Sequence, residues 1–191
     1  ARNCGVTTVA DLLSELEDAE VTMLEKVTGD AAFPARYVPI MNAMRDDPAF
    51  EAQRAIALRE RTTPKLDLGR AKLFTDGAIQ GGTAMLKAPG YFQMEDHGIW
   101  NMEVDHFREA VRALHKAGVK THTHTNGDAA SELAIEAYEA ALLETPDADH
   151  RHTLEHVQLA DLAQFKRMRA LGLTCNVFTN HIHYFGDLHW S

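Results

Sequence analysis

Two histidines separated by one residue lie in the stretch KTHTHTNGD, residues 120–128. Side chains alternate along a strand, so His122 and His124 are expected on one face. Imidazole is the commonest ligand of catalytic zinc, which typically takes three protein ligands and keeps one position for water. The stretch therefore predicts a metal site at the end of a strand. The alternative is a polar turn, because most single histidines are surface or core residues.

More histidines follow in the stretch HRHTLEH, residues 150–156. The same alternation predicts that His152 and His156 share one face of a short strand. His124 and His156 both lie near the ends of their predicted strands, where parallel α/β folds place their sites. We therefore expect the two strands to present imidazoles to one space.

A lysine lies inside a third candidate strand, in GRAKLFTDG, residues 69–77. Alternation places Lys72, Phe74 and Asp76 on one face of this strand. A buried ammonium is costly unless its charge is paired, its pKa is lowered or the amine is modified. The alternative is an edge-strand lysine that faces water.

The second half of the chain alternates between strands and helices. Residues 119–125 and 152–158 are predicted strands, and the helix between them is expected to begin at Asp128, as its N-cap, and to end before Pro146. Further helices are predicted at 105–118 and 161–171. A strand at 173–178 completes a βαβαβ pattern, which is typical of a parallel sheet.

The first half is less regular. Strands are predicted at 5–12, 35–41 and 69–74, with an acidic helical stretch at 12–27 between the first two. The total is about six strands of an α/β fold with helices outside. The long glycine-rich stretch 75–98 is predicted to be a flexible active-site loop.

The composition excludes several classes of protein. The chain has 191 residues, which suits one domain, and its 45% hydrophobic and 25% charged residues are typical of soluble proteins. No apolar run approaches the roughly 18 residues of a membrane span, and a net charge of −9 without a basic stripe argues against nucleic acid. Cys4 and Cys175 give no disulfide framework, and no signal peptide is visible, so a cytoplasmic location is expected.

Several stretches together resemble a known family. In chain order they are KLFTDGAIQGGTA, HTHTNGDAASELAIEA, RHTLEHVQLAD and NHIHYFGDLHW. They are similar to the central portion of the amidohydrolase superfamily, specifically its family 3 metal-dependent hydrolases, which include N-substituted formamide deformylases and exoenzyme regulatory proteins. The resemblance runs from near residue 5 to the C-terminus and implies a partial (β/α)8 TIM barrel.

The resemblance also implies a ligand set for a divalent metal. The family's K-x-x-x-D-G lysine, which is typically carboxylated and bridges two metals, matches Lys72. The histidine before the G-D turn matches His124, and the histidine that closes R-x-x-x-x-H matches His156. Zinc is the favoured metal, with manganese or iron as alternatives. Lys120, on the same face as His124, is an alternative to Lys72.

Other residues are expected around this site. Asp76, Asp128 and Arg151 are predicted catalytic residues, although Asp128 alone could cap a helix and Arg151 could form an ion pair. The stretch NHIHYFGD is expected to end the seventh strand and to line the substrate side. The predicted substrate-binding residues are His122, Asn126, His183, Asp187 and His189.

Two features of the family are not found in these residues: the His-x-His pair of the first strand and the aspartate of the last. His181 and His183 form such a pair but follow the lysine, which is the wrong order. We therefore expect residues 1–191 to be one domain, the central part of a hydrolase barrel without its first and last strands. Exposed sheet edges also suggest a homo-oligomer.

The expected function of the parent protein is hydrolysis of a carbon-nitrogen bond in a small non-peptide amide. A metal would activate water and polarise the carbonyl, while a carboxylate moves the proton to the leaving nitrogen. One alternative is a catalytically incomplete module that binds a metal or a protein partner. Another is an α/β domain whose histidines have no shared role.

Overall fold

The computed structural model describes the backbone of residues 2–92 and 97–190, and the side chains of residues 3–92 and 97–186. Six strands form one sheet in chain order, and every neighbouring pair is parallel. The sheet curls into half of a barrel. The strands are β1 (Thr8–Ser14), β2 (Arg36–Asn42), β3 (Ala71–Phe74), β4 (Thr121–Thr125), β5 (Thr153–His156) and β6 (Thr174–Asn176).

A helix follows each strand in sequence, as short right-handed crossovers between parallel neighbours require. The helices are α1 (Asp18–Gly29), α2 (Pro48–Arg59), α3 (Val104–Lys116), α4 (Asp128–Glu144), α5 (Leu162–Leu171) and α6 (Asn180–Trp190). Single turns of 3-10 helix lie at Arg2–Cys4 and Ile79–Gly81. The predicted half-barrel of about six parallel strands is thereby confirmed.

The hydrophobic core lies between the sheet and the helices. Leu73 of β3 and Leu154 of β5 are fully buried there, against Phe107 of α3 and Ile135 of α4. Because side chains alternate along a strand, the neighbours of these leucines face the concave side of the sheet. The strands thus direct their apolar side chains toward the helices, and Lys72 lies on the opposite, concave side of the sheet.

The hidden face of β4 is made of threonines rather than aliphatic residues. Thr121, Thr123 and Thr125 are buried, and the Tyr138 hydroxyl of α4 lies 2.6 Å from both the Thr121 and the Thr123 hydroxyl oxygens. Hydrogen bonds within this seam satisfy the polar atoms that the strand buries. His122 and His124 consequently face the concave side.

Several predicted element boundaries are wrong. Helix α2 was not predicted; its first turn is fixed by Pro48 and by Asp47, whose carboxylate accepts hydrogen bonds from the N–H groups of Ala49 and Phe50. Strand β1 extends through residues that were assigned to a helix at 12–27. The α4 N-cap is Gly127 rather than Asp128, which is the first helical residue.

The stretch NHIHYFGD lies in a helix, α6, and does not end a strand. The preceding strand β6 is short, with only three residues, all of them exposed. The apolar and aromatic residues of this stretch fit a helix as well as a strand, and a short run of them cannot distinguish the two. Within the described residues, no helix combines the length and apolar character that crossing a bilayer requires.

Candidate active site

Lys72 is buried on the concave side of β3. It is only 2% exposed, and its Nζ lies 4.7 Å from the centre of the Phe74 ring. In the described part of the chain no carboxylate forms a salt bridge with it. Burial lowers the pKa of Lys72 to about 8, and the negative charge of Glu155 only partly opposes this shift. The neutral form of this amine is therefore far more accessible near neutral pH than that of an ordinary lysine.

His124 lies beside Lys72 on the neighbouring strand β4. Its ring stacks on Phe74 with 4.7 Å between centroids, and its Nε2 lies 2.9 Å from the carbonyl oxygen of Gly77. The amide nitrogen of Asn126 also lies 3.1 Å from this Nε2, so Nε2 contacts both an acceptor and a donor, and the tautomer of the ring decides which contact is a hydrogen bond. Burial lowers the pKa of His124 and so favours the neutral form that a metal ligand needs.

His156 ends β5 with its ring 4.7 Å from that of His124. Burial, followed by the neighbouring His124 and Lys72, lowers the pKa of His156 to about 4. Its backbone φ is +71°, and that of Val157 is +42°, both in a region that side chains other than glycine rarely adopt. This left-handed turn interrupts the strand alternation and brings the His156 ring to His124.

The prediction that His152 and His156 share a face is wrong for the same reason. His152 faces the helices, stacks on Tyr138 at 4.8 Å, and accepts a hydrogen bond at Nδ1 from the Thr121 hydroxyl at 2.7 Å. Its Nε2 lies 2.9 Å from Nδ1 of His115. Both ring nitrogens are therefore occupied by structural hydrogen bonds.

Asp76 fixes the backbone around this site. One oxygen accepts hydrogen bonds from the N–H groups of Met85 and Gly127, at 2.9 and 2.8 Å, and the other accepts from Asn126 at 3.0 Å. We call this arrangement the Asp76 clamp. Burial raises the pKa of Asp76, although the three backbone hydrogen bonds oppose the shift. The clamp joins the segment after β3 to the turn after β4, two residues beyond His124.

The segment around Met85, predicted to be a flexible loop, is packed tightly against the start of α4. A Cβ on Gly127 would lie 1.9 Å from the carbonyl oxygen of Met85. Asp128 accepts hydrogen bonds from the N–H groups of Lys87 and Ala129, at 2.9 and 3.0 Å. Asp128 thus bridges the loop and the helix.

Asn126 is buried next to His124. Its amide nitrogen donates to the carbonyl oxygen of Gly77 at 2.7 Å, which fixes the orientation of the amide. Its Oδ1 is buried without a hydrogen-bond partner among the described residues. Asn126 therefore keeps an unused acceptor close to the two imidazoles.

Two predicted site residues, Arg151 and His183, lie away from this place. Arg151 precedes β5, at the opposite end of that strand from His156, and its exposed guanidinium pairs with Asp149 at 2.7 Å. The structure thus places Arg151 away from the two imidazoles, and its catalytic role stays a prediction. His183 is exposed on α6, where its ring contacts Tyr184. The side chains of Asp187 and His189 lie outside the described residues.

Two residues near the site were not predicted. Glu155 is 1% exposed and accepts a hydrogen bond from His122 Nδ1 at 2.7 Å. It alternates with the apolar Leu154, a signal that could have placed it on the concave side. His181 lies with its ring 6.0 Å from that of His156. His181 was not predicted to lie near His156 because its segment was predicted to be the end of a strand rather than a helix.

The fit of a metal to these residues depends on Lys72. Among the described residues, no three histidine, cysteine, aspartate or glutamate side chains converge to hold a metal ion. Two neutral imidazoles, His124 and His156, do lie side by side, and the amine of Lys72 is buried on the same face. A carboxylated Lys72 would add the missing anionic oxygen, and only with that modification would this donor set fit a divalent ion.

Comparisons of sequence agree with the motifs. The amidohydrolase family profile matches residues 1–191. Putative amidohydrolase YtcJ of Bacillus subtilis (strain 168) is 30% identical over 105 residues, 54% of this chain and 19% of that protein. Protein LONG AFTER FAR-RED 3 of Arabidopsis thaliana is 25% identical over 117 residues, 61% of this chain and 20% of that protein. The matched regions thus span about a fifth of these relatives.

Comparisons of structure agree with the fold. Crystal structures of uncharacterized metal-dependent hydrolases from Pyrococcus furiosus and Pyrococcus horikoshii OT3 superpose with TM-scores of 0.69 and 0.71, each at 18% identity. The match covers 92% and 94% of this chain, but only 34% and 35% of those chains. Because the family profile spans all 191 residues, the chain belongs to the amidohydrolase family, in its family 3 group.

Proposed function

We propose that this chain supplies Lys72, His124 and His156 as ligands of a divalent metal in a hydrolase that cleaves non-peptide carbon-nitrogen bonds. The observation that carries the proposal is a buried lysine without a salt bridge, on the same face as two imidazoles whose pKa values are lowered. Family membership supports the reaction class. The two similar Pyrococcus proteins are metal-dependent hydrolases, which supports the metal.

Lys72 acts in this proposal as a carbamate. Its neutral amine attacks carbon dioxide, a nitrogen-carbon bond forms, and one proton is released. The product is an anionic carboxylate on a long stem. Because a buried amine loses hydration when it is charged, burial favours the neutral form that reacts.

When bound, the metal supplies Lewis-acid polarisation of the carbonyl and a nucleophile derived from water. Zinc suits two imidazoles and a carboxylate oxygen. The Asp76 clamp holds the turn that carries Asn126, and His122 faces the substrate. Asp128 is proposed as a catalytic carboxylate, although its Oδ1 already accepts two backbone hydrogen bonds.

The activity is proposed for a longer protein of which residues 1–191 form the central barrel domain. The support is that this chain covers only 34% and 35% of the similar solved structures. A cytoplasmic location belongs to the same proposal, supported by two free cysteines. The alternative is a module that binds a metal or a protein partner without catalysis.

The test combines native mass spectrometry with elemental analysis of the chain, purified with zinc and bicarbonate. We expect roughly stoichiometric zinc, an added mass of about 44 Da for the carbamate, and loss of zinc in His124→Ala. Lys72→Met should lose both the metal and the added mass. Lys120→Met is the matched control, because this lysine lies on the same strand face but at the strand's start. Zinc retained in Lys72→Met would contradict the ligand set.

Catalysis is tested separately, on a protein that contains the whole barrel. Hydrolysis of N-substituted formamides that requires zinc and His156 would support the enzyme. If residues 1–191 bind zinc but the full-length protein hydrolyses no amide, the result would favour the alternative, a module that binds a metal without catalysis.

A further inference from the structure

A small pocket lies at the N-terminal ends of β3 and β4, the end of the sheet opposite to the two imidazoles. Arg70 directly precedes β3 and Lys120 directly precedes β4, and because the two strands are paired, these side chains start from neighbouring positions. The pocket has a volume of about 100 Å³, and its other lining residues come from the end of α2 and the turns before the two strands: Arg59, Asp67, Gly69 and Gly118. Half of the lining residues are therefore cationic.

The positive charges of this pocket are poorly compensated. Among the described residues, the side chains of Arg59 and Lys120 form no salt bridge, and Arg59 only approaches the carbonyl oxygen of Ala117, at 3.5 Å. Arg70 donates from Nε and Nη2 to a single oxygen of Asp67, at 3.2 and 2.9 Å. Three cations thus surround one carboxylate, in a chain whose net charge is −9.

The carboxylates on the other side of Lys120 do not neutralise it. An adjoining pocket is lined by Lys120 together with Asp147 and Asp149. Asp149 pairs instead with Arg151 at 2.7 Å, and Asp147 accepts a hydrogen bond from the N–H group of Asp149 at 2.8 Å. The Lys120 ammonium therefore remains available to a ligand of opposite charge.

Gly69 fixes the wall of the pocket against α2. Its φ is +84°, and a Cβ at this position would lie 2.7 Å from Cβ of Arg59 and 2.8 Å from the carbonyl oxygen of Ala55. Glycine alone accommodates both this backbone conformation and this close approach. The turn before β3 consequently packs on the base of the Arg59 side chain, so Arg59 and Arg70 are held at the same pocket before any ligand arrives.

The size and chemistry of the pocket indicate the class of ligand. Ordinary small-molecule sites measure roughly 300–1,000 Å³, so a pocket of about 100 Å³ has room for one small group and not for a whole nucleotide. A guanidinium presents N–H donors in a fork that matches two oxygens of a phosphate, and a lysine adds a compact positive charge. A single phosphate group meets both requirements.

We propose that Arg59, Arg70 and Lys120 form a binding site for a phosphate group at the end of the sheet remote from the metal ligands. The phosphate is either the free ion or the terminal group of an organic phosphate. This inference goes beyond the proposed hydrolase function and does not depend on it.

The first test is calorimetric titration of the metal-free chain with sodium phosphate, with the ionic strength held at about 0.15 M by sodium chloride. Lys120→Gln and Arg59→Gln should each weaken phosphate binding by about tenfold or more, because each removes a charged donor. Lys116→Gln is the matched control: this exposed lysine ends α3 at the same end of the molecule but does not line the pocket. It should bind phosphate like the wild type.

Two results of this titration would overturn the site. One is the absence of saturable phosphate binding to the wild-type chain. The other is an equal weakening in Lys116→Gln and Lys120→Gln, which would show diffuse attraction to positive charge rather than a defined pocket.

Lys72→Met separates this pocket from the proposed metal site, where phosphate could otherwise enter between the lysine and the two imidazoles. We expect the affinity for phosphate to be unchanged in this variant. A loss as large as that in Lys120→Gln would place the anion at the metal site and overturn the proposal. Because the titration measures phosphate and not zinc, its failure would leave the ligand set of Lys72, His124 and His156 untouched.

Methyl phosphate distinguishes the two sources of the phosphate group. Affinity equal to that of inorganic phosphate would support the terminal group of an organic phosphate. Affinity lower by about tenfold or more would support the free ion, because the ester blocks an oxygen that accepts a charged hydrogen bond. Sodium acetate is the negative probe, since one carboxylate cannot engage three separate cations. Acetate that binds as tightly as phosphate would refute the assignment.

Discussion

At the scale of single residues, the site depends on a few side chains and backbone positions that depart from ordinary behaviour. Lys72 is a buried amine, and His156 has a left-handed backbone conformation. Gly127 packs so closely against the Met85 carbonyl that a Cβ at this position would overlap with it. Such departures are tolerated where the surrounding structure determines them, and they cluster at functional sites. Each can be tested by one substitution.

Gly127→Ala should destabilise the chain strongly. Its φ is an ordinary −72°, so the effect comes from the new methyl group, which meets the Met85 carbonyl at 1.9 Å. We expect a loss of about 2–4 kcal/mol in the free energy of unfolding, measured with urea. Gly29→Ala is the matched control, because that glycine has no atom within 4 Å of its added Cβ. It should be neutral or slightly stabilising, and equal losses in both variants would contradict the close approach.

Lys72→Met should raise stability when no metal or bicarbonate is present. Methionine fills a similar volume and removes a buried amine that lacks a salt bridge, so we expect a gain of about 1–3 kcal/mol in the free energy of unfolding. Lys120→Met should change it by less than about 0.5 kcal/mol. A loss of stability in Lys72→Met would mean that the amine is well solvated or paired.

The sequence predicted the individual ligands better than their geometry. The pairing of His124 with His156 was expected from their strand-end positions, and the two rings do lie together. The reason is different from the one predicted, because a positive φ at His156 redirects the ring. Single-residue backbone conformations of this kind are not encoded in hydrophobic periodicity. Arg151 precedes β5 while His156 ends it, and a motif gives spacing but not which end of a strand a residue occupies.

At the scale of elements, a chain of three histidines connects strands to helices behind the sheet. His152 lies between His115 and the Thr121 hydroxyl, His115 contacts the carbonyl of Thr145 after α4, and His150 contacts that of Leu171 at the end of α5. Because Nδ1 of His152 accepts from the Thr121 hydroxyl and its Nε2 contacts Nδ1 of His115, these contacts require a neutral His152 ring. Burial, followed by the charges of His150 and His115, lowers the pKa of His152 to about 3.

This cluster should make the fold sensitive to acid. Above about pH 6.5 neither state binds a proton at His152, and below it the unfolded chain does while the folded chain does not. Stability should therefore fall as the pH falls from 6.5 toward 3. Between pH 6.5 and 5 this residue should account for roughly 1.5–2 kcal/mol of the loss.

The measurement is urea unfolding across this pH range. His152→Gln should be less stable at neutral pH but should show a flatter dependence on pH. Tyr138→Phe is the control, because it weakens the same cluster without removing a group that titrates there. It should lower stability at every pH without changing the slope. A wild-type slope in His152→Gln would refute the assignment.

Element boundaries were predictable where the periodicity was strong. Helix α3 was predicted because Phe107, Val111 and Leu114 recur on one face, and all three are buried. Helix α2 was missed because its signals, Asp47 and Pro48, are local and its apolar face is weak. The stretch NHIHYFGD was predicted to end a strand but lies in helix α6, because the family resemblance gives the order of the motifs and not their local conformation.

At the scale of the whole molecule, the sheet has two edges, β1 and β6. All three residues of β6 are exposed, and β1 is exposed over most of its length, with Val9 at 38%. Edge strands with exposed apolar residues pair readily with other chains. The predicted homo-oligomer stays a prediction, and these edges are where it would form.

Val9→Lys should weaken self-association of this chain, because a charge on an edge strand opposes pairing. We expect the dissociation constant from sedimentation velocity to rise by about tenfold or more, equivalent to roughly 1.4 kcal/mol. Leu143→Lys is the control; this residue is 79% exposed but lies on α4, away from both edges. Equal effects of both substitutions would show that association does not use β1.

The Asp76 clamp has a consequence for the uniqueness of the fold. The core of β4 reads Thr-His-Thr-His-Thr, a sequence that repeats itself after a shift of two residues. If β4 shifted by two residues along its neighbours, most of its threonine and histidine side chains would therefore occupy equivalent positions. Asp76 accepts hydrogen bonds from the N–H groups of Asn126 and Gly127, and these bonds fix the position at which the strand ends. One carboxylate thus resolves an ambiguity that the strand's own sequence leaves open, and so determines which of the two histidines meets His156.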